Sequence, residues 1–191
     1  MNKQCHTDPE IGKLRESLLN SDPDDFSKSV FLFSIRISSR IGLHQTYIPS
    51  ITYLLKNRQI LNKSELREIS NLYILHLSHF SNMDHLALQE YFKYAKDDIR
   101  LGQILVAWRN KDYVKWFELY HSEKDASRHK MMSFGEPTMV LFTMKCIQTA
   151  YFQLPRSYVE KLFLMKVEEL QKRFNCNWVL EGDTVVIRLR K

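Results

Sequence analysis

The sequence predicts a mainly α-helical chain, a stack of helices that ends in a winged-helix module with a small β-hairpin. Three observations carry that expectation. Only five glycines and five prolines occur in 191 residues, too few for the many turns of a sandwich or barrel. Apolar residues recur at helical spacing over most of the length. Near the C-terminal end the period changes. Two short amphipathic stretches are followed by a β-branched run over 184–189. The turn residues Glu181-Gly182-Asp183 precede it, and a glycine there takes positive φ without steric cost.

Residues 1–8 read as a loose polar tail. A first helix starts near Pro9 and sets Ile11, Leu14, Leu18 and Leu19 on one face. The stretch NSDPDD then breaks it, with an Asp free to cap the next helix. That second helix, over 25–41, puts Phe26, Val30, Phe33, Ile37 and Ile41 toward the core and Lys28, Ser34 and Arg40 opposite. GLHQTYIPS reads as a join, after which Ile51, Leu54 and Leu55 continue helically. Ser64 is read as the cap of a helix carrying Leu72, Ile74, Leu75 and Phe80.

From Asp84 onward, helices of roughly 12–16 residues alternate with short joins, as in packed antiparallel helices. Their apolar positions are Leu86, Leu88, Tyr91, Phe92 and Tyr94, then Ile99, Leu101, Ile104, Leu105 and Trp108. Tyr113, Trp116, Phe117 and Tyr120 come next at i, i+3, i+4 and i+7, the spacing of a core face rather than of a base-stacking platform. A helix over 137–152 holds Met139, Leu141, Phe142, Met144 and Ile147. Residues 9–152 thus form a helical-repeat part. Residues 153–191 form the winged-helix part, with helices marked by Tyr158, Val159, Leu162 and Phe163 and by Val167, Leu170 and Phe174.

Chemistry is sparse along this chain. It has no P-loop, no dinucleotide glycine motif, no nucleophile elbow and no H-E-x-x-H. His76, His79, Asp84 and His85 lie close in sequence, but no Cys or Glu stands at ligand spacing. They read as polar residues on a partly exposed face. Cys146 packs as a small hydrophobe. Cys5, Cys146 and Cys176 form no framework, and an odd count without a secretory signal predicts reduced thiols in the nucleus or cytoplasm. No apolar run is long enough for a membrane span, and the polar start is no targeting segment. No catalytic, metal or cofactor site is expected, and no membrane association.

The net charge of +6 permits a polyanionic partner without requiring one. Lys166, Lys172 and Arg173 fall on the second helix of the terminal module, Arg188, Arg190 and Lys191 end its ribbon, and Arg109 and Lys111 come earlier. Two readings stand. These cations contact the phosphates of RNA or DNA, releasing counterions, or they belong to a solvated face diluted by Glu168, Glu169, Glu181 and Asp183. Among apolar residues, Trp178, Val185 and Ile187 are candidates for a surface that a partner covers. Trp178 and Ile187 are also expected to pack on Val167, Leu170 and Phe174.

A helical stack followed by a winged helix resembles the PCI family, the scaffold subunits of the proteasome lid, the signalosome and initiation factor three. ILVAWRNKDYVKWFELYH (104–121) is similar to a segment of the family's GANP branch, through Asn110, Tyr113, Trp116, Phe117, Leu119 and Tyr120. MVLFTMKCIQTAYFQLPRSYVEKLF (139–163) resembles the branch's following helix and join, and LHQTYIPSITYLL (43–55) an earlier one. The resemblance covers residues 43–191. It implies a non-catalytic scaffold whose winged helix docks on that of a sister PCI subunit. In the GANP branch such a pair, with a small acidic disordered subunit, binds nucleic acid during messenger RNA processing and export in the nucleus. A stand-alone winged-helix nucleic-acid regulator and a small lid-type, signalosome-type or initiation-factor-type subunit are the alternatives.

Overall fold

Eleven α-helices and three short strands make up the described residues, 9–19 and 21–188, of a computed structural model. They divide into two compact units, one comprising residues up to Gly102 together with Lys124–Met132, the other Gln103–Glu123 and Ser133 onward. No helix is long and apolar enough to cross a membrane.

The first unit contains α1 (Pro9–Leu18), α2 (Asp25–Ile41), α3 (His44–Lys56), α4 (Lys63–His79) and α5 (Asp84–Glu90), which continues through a π turn at Tyr91–Ala95. The helix α6 (Ile99–Arg109) begins here, and the boundary between units falls after its Gly102. Local chemistry sets the helix starts. Asp24 and Ser27 form a capping box on α2, the Asp24 carboxylate accepting from the Ser27 amide at 2.7 Å. Asn62 and Glu65 do the same on α4. The cap is therefore Asn62 rather than Ser64, because Asn62 has Glu65 three residues on to complete the box. The expected join GLHQTYIPS is mostly helix: α3 starts at His44 and runs through Pro49.

The second helix departs most from expectation. Its buried face is Ser27, Phe31, Leu32, Ser34, Ile35, Ser38 and Ser39, while Phe26, Phe33, Ile37 and Ile41 are exposed. Both sets recur at helical spacing, so periodicity alone does not choose between them. The serines decide it, because their small side chains let α2 lie against α3, with Phe31 stacked on Tyr53 at a centroid separation of 4.0 Å. Ser38 satisfies its hydroxyl on the Ser34 carbonyl within the helix.

The second unit holds the rest of α6, then α7 (Tyr113–His121), α9 (Glu136–Ala150), β1 (Gln153–Pro155), α10 (Arg156–Phe163), α11 (Val167–Phe174), β2 (Val179–Glu181) and β3 (Thr184–Val186). The intervening α8 (Ala126–Ser133) lies largely in the first unit, where Met131 and Met132 are buried. The three strands form an antiparallel sheet in the order β1-β3-β2, with Leu154 opposite Val185 and Leu180 also opposite Val185. Helix, strand, two helices and a hairpin whose last strand is central is a winged-helix arrangement, as the fold class predicted. The third strand, β1, is an addition. Three residues ending in proline carry no recognisable alternation, so the sequence hides it. The hairpin loop also closes one residue tighter than expected: Glu181 pairs with Thr184, leaving Gly182 and Asp183 as the loop, with Gly182 at φ 59°.

Candidate interaction surfaces

The winged-helix module is built around Trp178. Its side chain is 1% exposed, and Val159, Val167, Leu170 and Val185 are fully buried with it. The Phe163 ring lies 6.5 Å away, and the Gln171 amide donates to the Trp178 carbonyl at 2.6 Å. Phe163 in turn meets Phe117 of α7 edge-on at 5.7 Å. Two backbone clamps fix the sheet to the helices: Arg156 N–H donates to the Asp183 carbonyl, and Ile187 N–H to the Phe152 carbonyl, both at 2.8 Å. Trp178 and Val185 are thus core residues, and Ile187 is half-buried. Trp178 and Val185 therefore do not present the apolar docking surface expected of them, because they are buried in the core of their own module.

The exposed apolar residues of the module are others: Tyr158 on α10, Leu164 in the turn after it, and Val179 at the start of β2, with Tyr151 and Phe152 just before β1. Tyr158 and Leu162 of α10 line a groove with Val114, Phe117 and His121 of α7, of about 340 Å³. Leu164 adopts the left-handed conformation at φ 45°. Sequence reasoning missed this set because exposure of an amphipathic helix's margin and of an edge strand depends on tertiary packing.

The two edges of the sheet differ. β1 ends in Pro155, which offers no N–H to a further strand. β2 has no proline, and Val179, 54% exposed, lies on it. This is the edge open to strand addition.

The predicted cations differ in their partners. Arg173 lies 3.3 Å from both Glu169 and Glu136. Arg188 caps the end of α9 by donating to the Thr149 carbonyl at 3.0 Å, its guanidinium 4.3 Å above the Phe152 ring. Lys111 sits over the Trp108 ring at 4.1 Å. Arg109, Lys166 and Lys172 are exposed and form no ion pair among the described residues. Arg190 and Lys191 lie outside the described residues. On α11 the outward charges are Glu168, Glu169, Lys172 and Arg173, and Arg156 binds Glu168 at 2.9 Å. The helix that would enter a groove therefore carries as many anions as cations.

In the first unit a cleft of about 400 Å³ is lined by Arg36, Arg40, Arg67 and Arg128 together with Glu68, Asn71 and Asp98. Asp98 is its hub. It accepts from the Leu101 amide at 3.0 Å, from Asn71 Nδ2 at 2.9 Å and from Arg128 at 3.3 Å, and Arg67 lies 3.3 Å away. Burial pushes its pKa up, but the Leu101 N–H, Arg128, Asn71 and Arg67 outweigh burial and hold the carboxyl below its usual range. Arg36 grips Glu68 with two parallel hydrogen bonds at 2.8 and 2.7 Å.

His76 and His79 are buried, 6% and 3% exposed, not on the partly exposed face expected for them. The Tyr47 hydroxyl and His76 Nδ1 are 2.9 Å apart, and Ser81 Oγ lies 3.2 Å from Nε2. Phe80 stacks on the imidazole at 4.9 Å. Burial, with a smaller contribution from His44, lowers the His76 pKa to about 4. Among the described residues no three His, Cys, Asp or Glu side chains converge on a metal position. Burial raises the Cys176 thiol, which opposes formation of a nucleophilic thiolate. The class defined by this fold is the helical-repeat protein with a terminal winged-helix-like module, the general kind of protein-interaction scaffold. No family model matches the chain, and no curated protein matches it.

Proposed function

We propose that the chain is a non-catalytic scaffold subunit of the PCI kind, whose winged-helix module docks on the module of a sister subunit by adding a strand to β2. The open β2 edge carrying exposed Val179 is the observation that supports this most, since the other edge is blocked by Pro155. The resemblance in residues 43–191 supplies the kind of partner. On this reading residues 153–191 are the docking part and residues 9–152 its helical support. Assembly in a nuclear complex that handles messenger RNA is the setting the resemblance suggests, with a small acidic subunit as a further partner. Nucleic acid is a second client through Arg109, Lys166 and Lys172. The mixed charge of α11 favours a protein partner over a phosphate backbone as the first.

The test is purification of the tagged chain from native extract at physiological salt, beside a Val179→Lys variant. A lysine on an edge strand leaves the fold intact and opposes strand addition. A stoichiometric partner bearing its own winged helix, lost from Val179→Lys, is the expected result. A chain that emerges without any stable partner overturns the proposal.

A further inference from the structure

Among the described residues, nothing fully covers the outward face of α2. Phe26, Val30, Phe33 and Ile37 alternate steps of four and three residues, the a/d repeat of a coiled coil. Phe26 is 59% exposed, Phe33 52% and Ile37 42%. A run of this kind on a helix of about 25 Å marks a surface that another helix covers.

We propose that a second copy of the chain covers this seam, with α2 packed antiparallel on α2 about a two-fold axis between Phe31 and Leu32. Two features of the helix select that occupant and that direction. First, the seam is self-complementary when reversed. Phe26 meets Ile37 of the partner subunit and Val30 meets Phe33 of the partner subunit, and symmetry repeats both layers. Second, charges that form no ion pair in their own chain stand at opposite ends, Asp22 just before the helix and Arg40 in its last turn. By contrast Asp24 caps the helix, Lys28 pairs with Asp25 at 2.7 Å and Arg36 with Glu68 at 2.7 Å. In the same register Arg40, the next seam position after Ile37, falls at the N-terminal end of the partner helix, which Asp22 of the partner subunit precedes. Arg40 and Asp22 are exposed and form no ion pair among the described residues of their own chain. A parallel pair would set Arg40 against Arg40 and Asp22 against Asp22, so the charge pattern favours the antiparallel one.

Sedimentation equilibrium of the full chain over micromolar to submillimolar concentrations tests this. The expected result is a monomer–dimer equilibrium that Phe33→Asp together with Ile37→Asp abolishes. Circular dichroism should stay unchanged, because both side chains face outward. Arg40→Asp and Asp22→Arg should each raise the dimer Kd severalfold, and the double exchange should return it toward the wild-type value. Val179→Lys should leave the dimer intact, which separates this surface from docking at β2. A wild-type chain that remains monomeric throughout overturns the proposal. So does a dimer that survives the Phe33 and Ile37 changes, or a double exchange no better than either single one.

Discussion

The two units solve the same packing problem with different chemistry. Among the described residues, eleven of the buried polar side chains lie in the first unit, including Ser27, Ser34, Ser38, Asn71, His76, His79 and Asp98, and only Thr143 lies in the second. All three tryptophans lie in the second, Trp108 at 6.0 Å from Trp116 and Trp178 near Phe163. A core of serines and hydrogen-bonded histidines permits close helix approach but depends on each polar group keeping its partner. A core of aromatic rings is held by burial, which titration does not touch. Acid should therefore loosen the first unit and large-to-small substitution the second.

The largest effect should come from Trp178→Ala, which removes the central side chain of the terminal module. Large aromatic truncations in a core cost about 3–5 kcal/mol, a large share of a domain's stability. Hydrogen exchange should show lost protection over 154–187 with the amides of α2, α3 and α4 unchanged. Unchanged protection of the sheet would mean that the module is not built on this ring.

Asp98→Asn should be next. It keeps the shape while removing the charge that Arg67 and Arg128 share, a loss of about 1.5–3 kcal/mol for hydrogen bonds to an ionised group. Urea unfolding, monitored together with the exchange of α4 amides, measures it.

Acid gives the next step. His76 is held neutral, with a pKa of about 4 against the usual 6.5. Its contribution is fully present above the unfolded value and is lost as pH falls from 6.5 toward 4, on the order of 2 kcal/mol by pH 5. Asp98 acts in the same direction but lower, since a depressed carboxyl keeps its contribution until pH falls below the usual carboxylate value. Stability against pH should slope between 6.5 and 4 for the wild type and flatten in His76→Gln. The slope should reside in first-unit amides. If second-unit amides carry it, the contrast between the cores fails.

Arg36→Met should give the smallest effect. Its two hydrogen bonds to Glu68 are well formed, but both side chains are solvent-accessible, and such pairs contribute about 0.2–1 kcal/mol. A loss of unfolding free energy in urea within that range sharpens the view that the Asp98 hub, not the exposed pair, holds this cleft.

How far the sequence foretold the structure differs between the same two regions. Trp116, Phe117 and Tyr120 were legible as core because large aromatic residues at helical spacing have few alternatives. The order of helix, turn, helix and ribbon was legible because Gly182 and the β-branched residues after it mark a hairpin. The inward face of α2 was not, since serine reads as polar in a pattern although it packs as a small residue. β1 escaped because its pairing is with residues far along the chain. Trp178 and Val185 were readable as hydrophobic, but whether a hydrophobic residue faces a partner or its own core is a property of the tertiary structure.

The strand order β1-β3-β2 also governs when the terminal module can form during synthesis. β3 is the last strand in chain order, yet it alone touches both of the others. On a ribosome, α10, α11 and β2 emerge without any strand to join. The wing assembles only once Thr184–Val186 has left the exit tunnel, when Val185 reaches Leu154 and Leu180 together. Until then the first unit, already complete in sequence, is free to fold and find partners. A nascent chain halted before Thr184 has cleared the tunnel should thus lack the sheet, and the β2 edge should exist as a docking site only once β3 has paired with it.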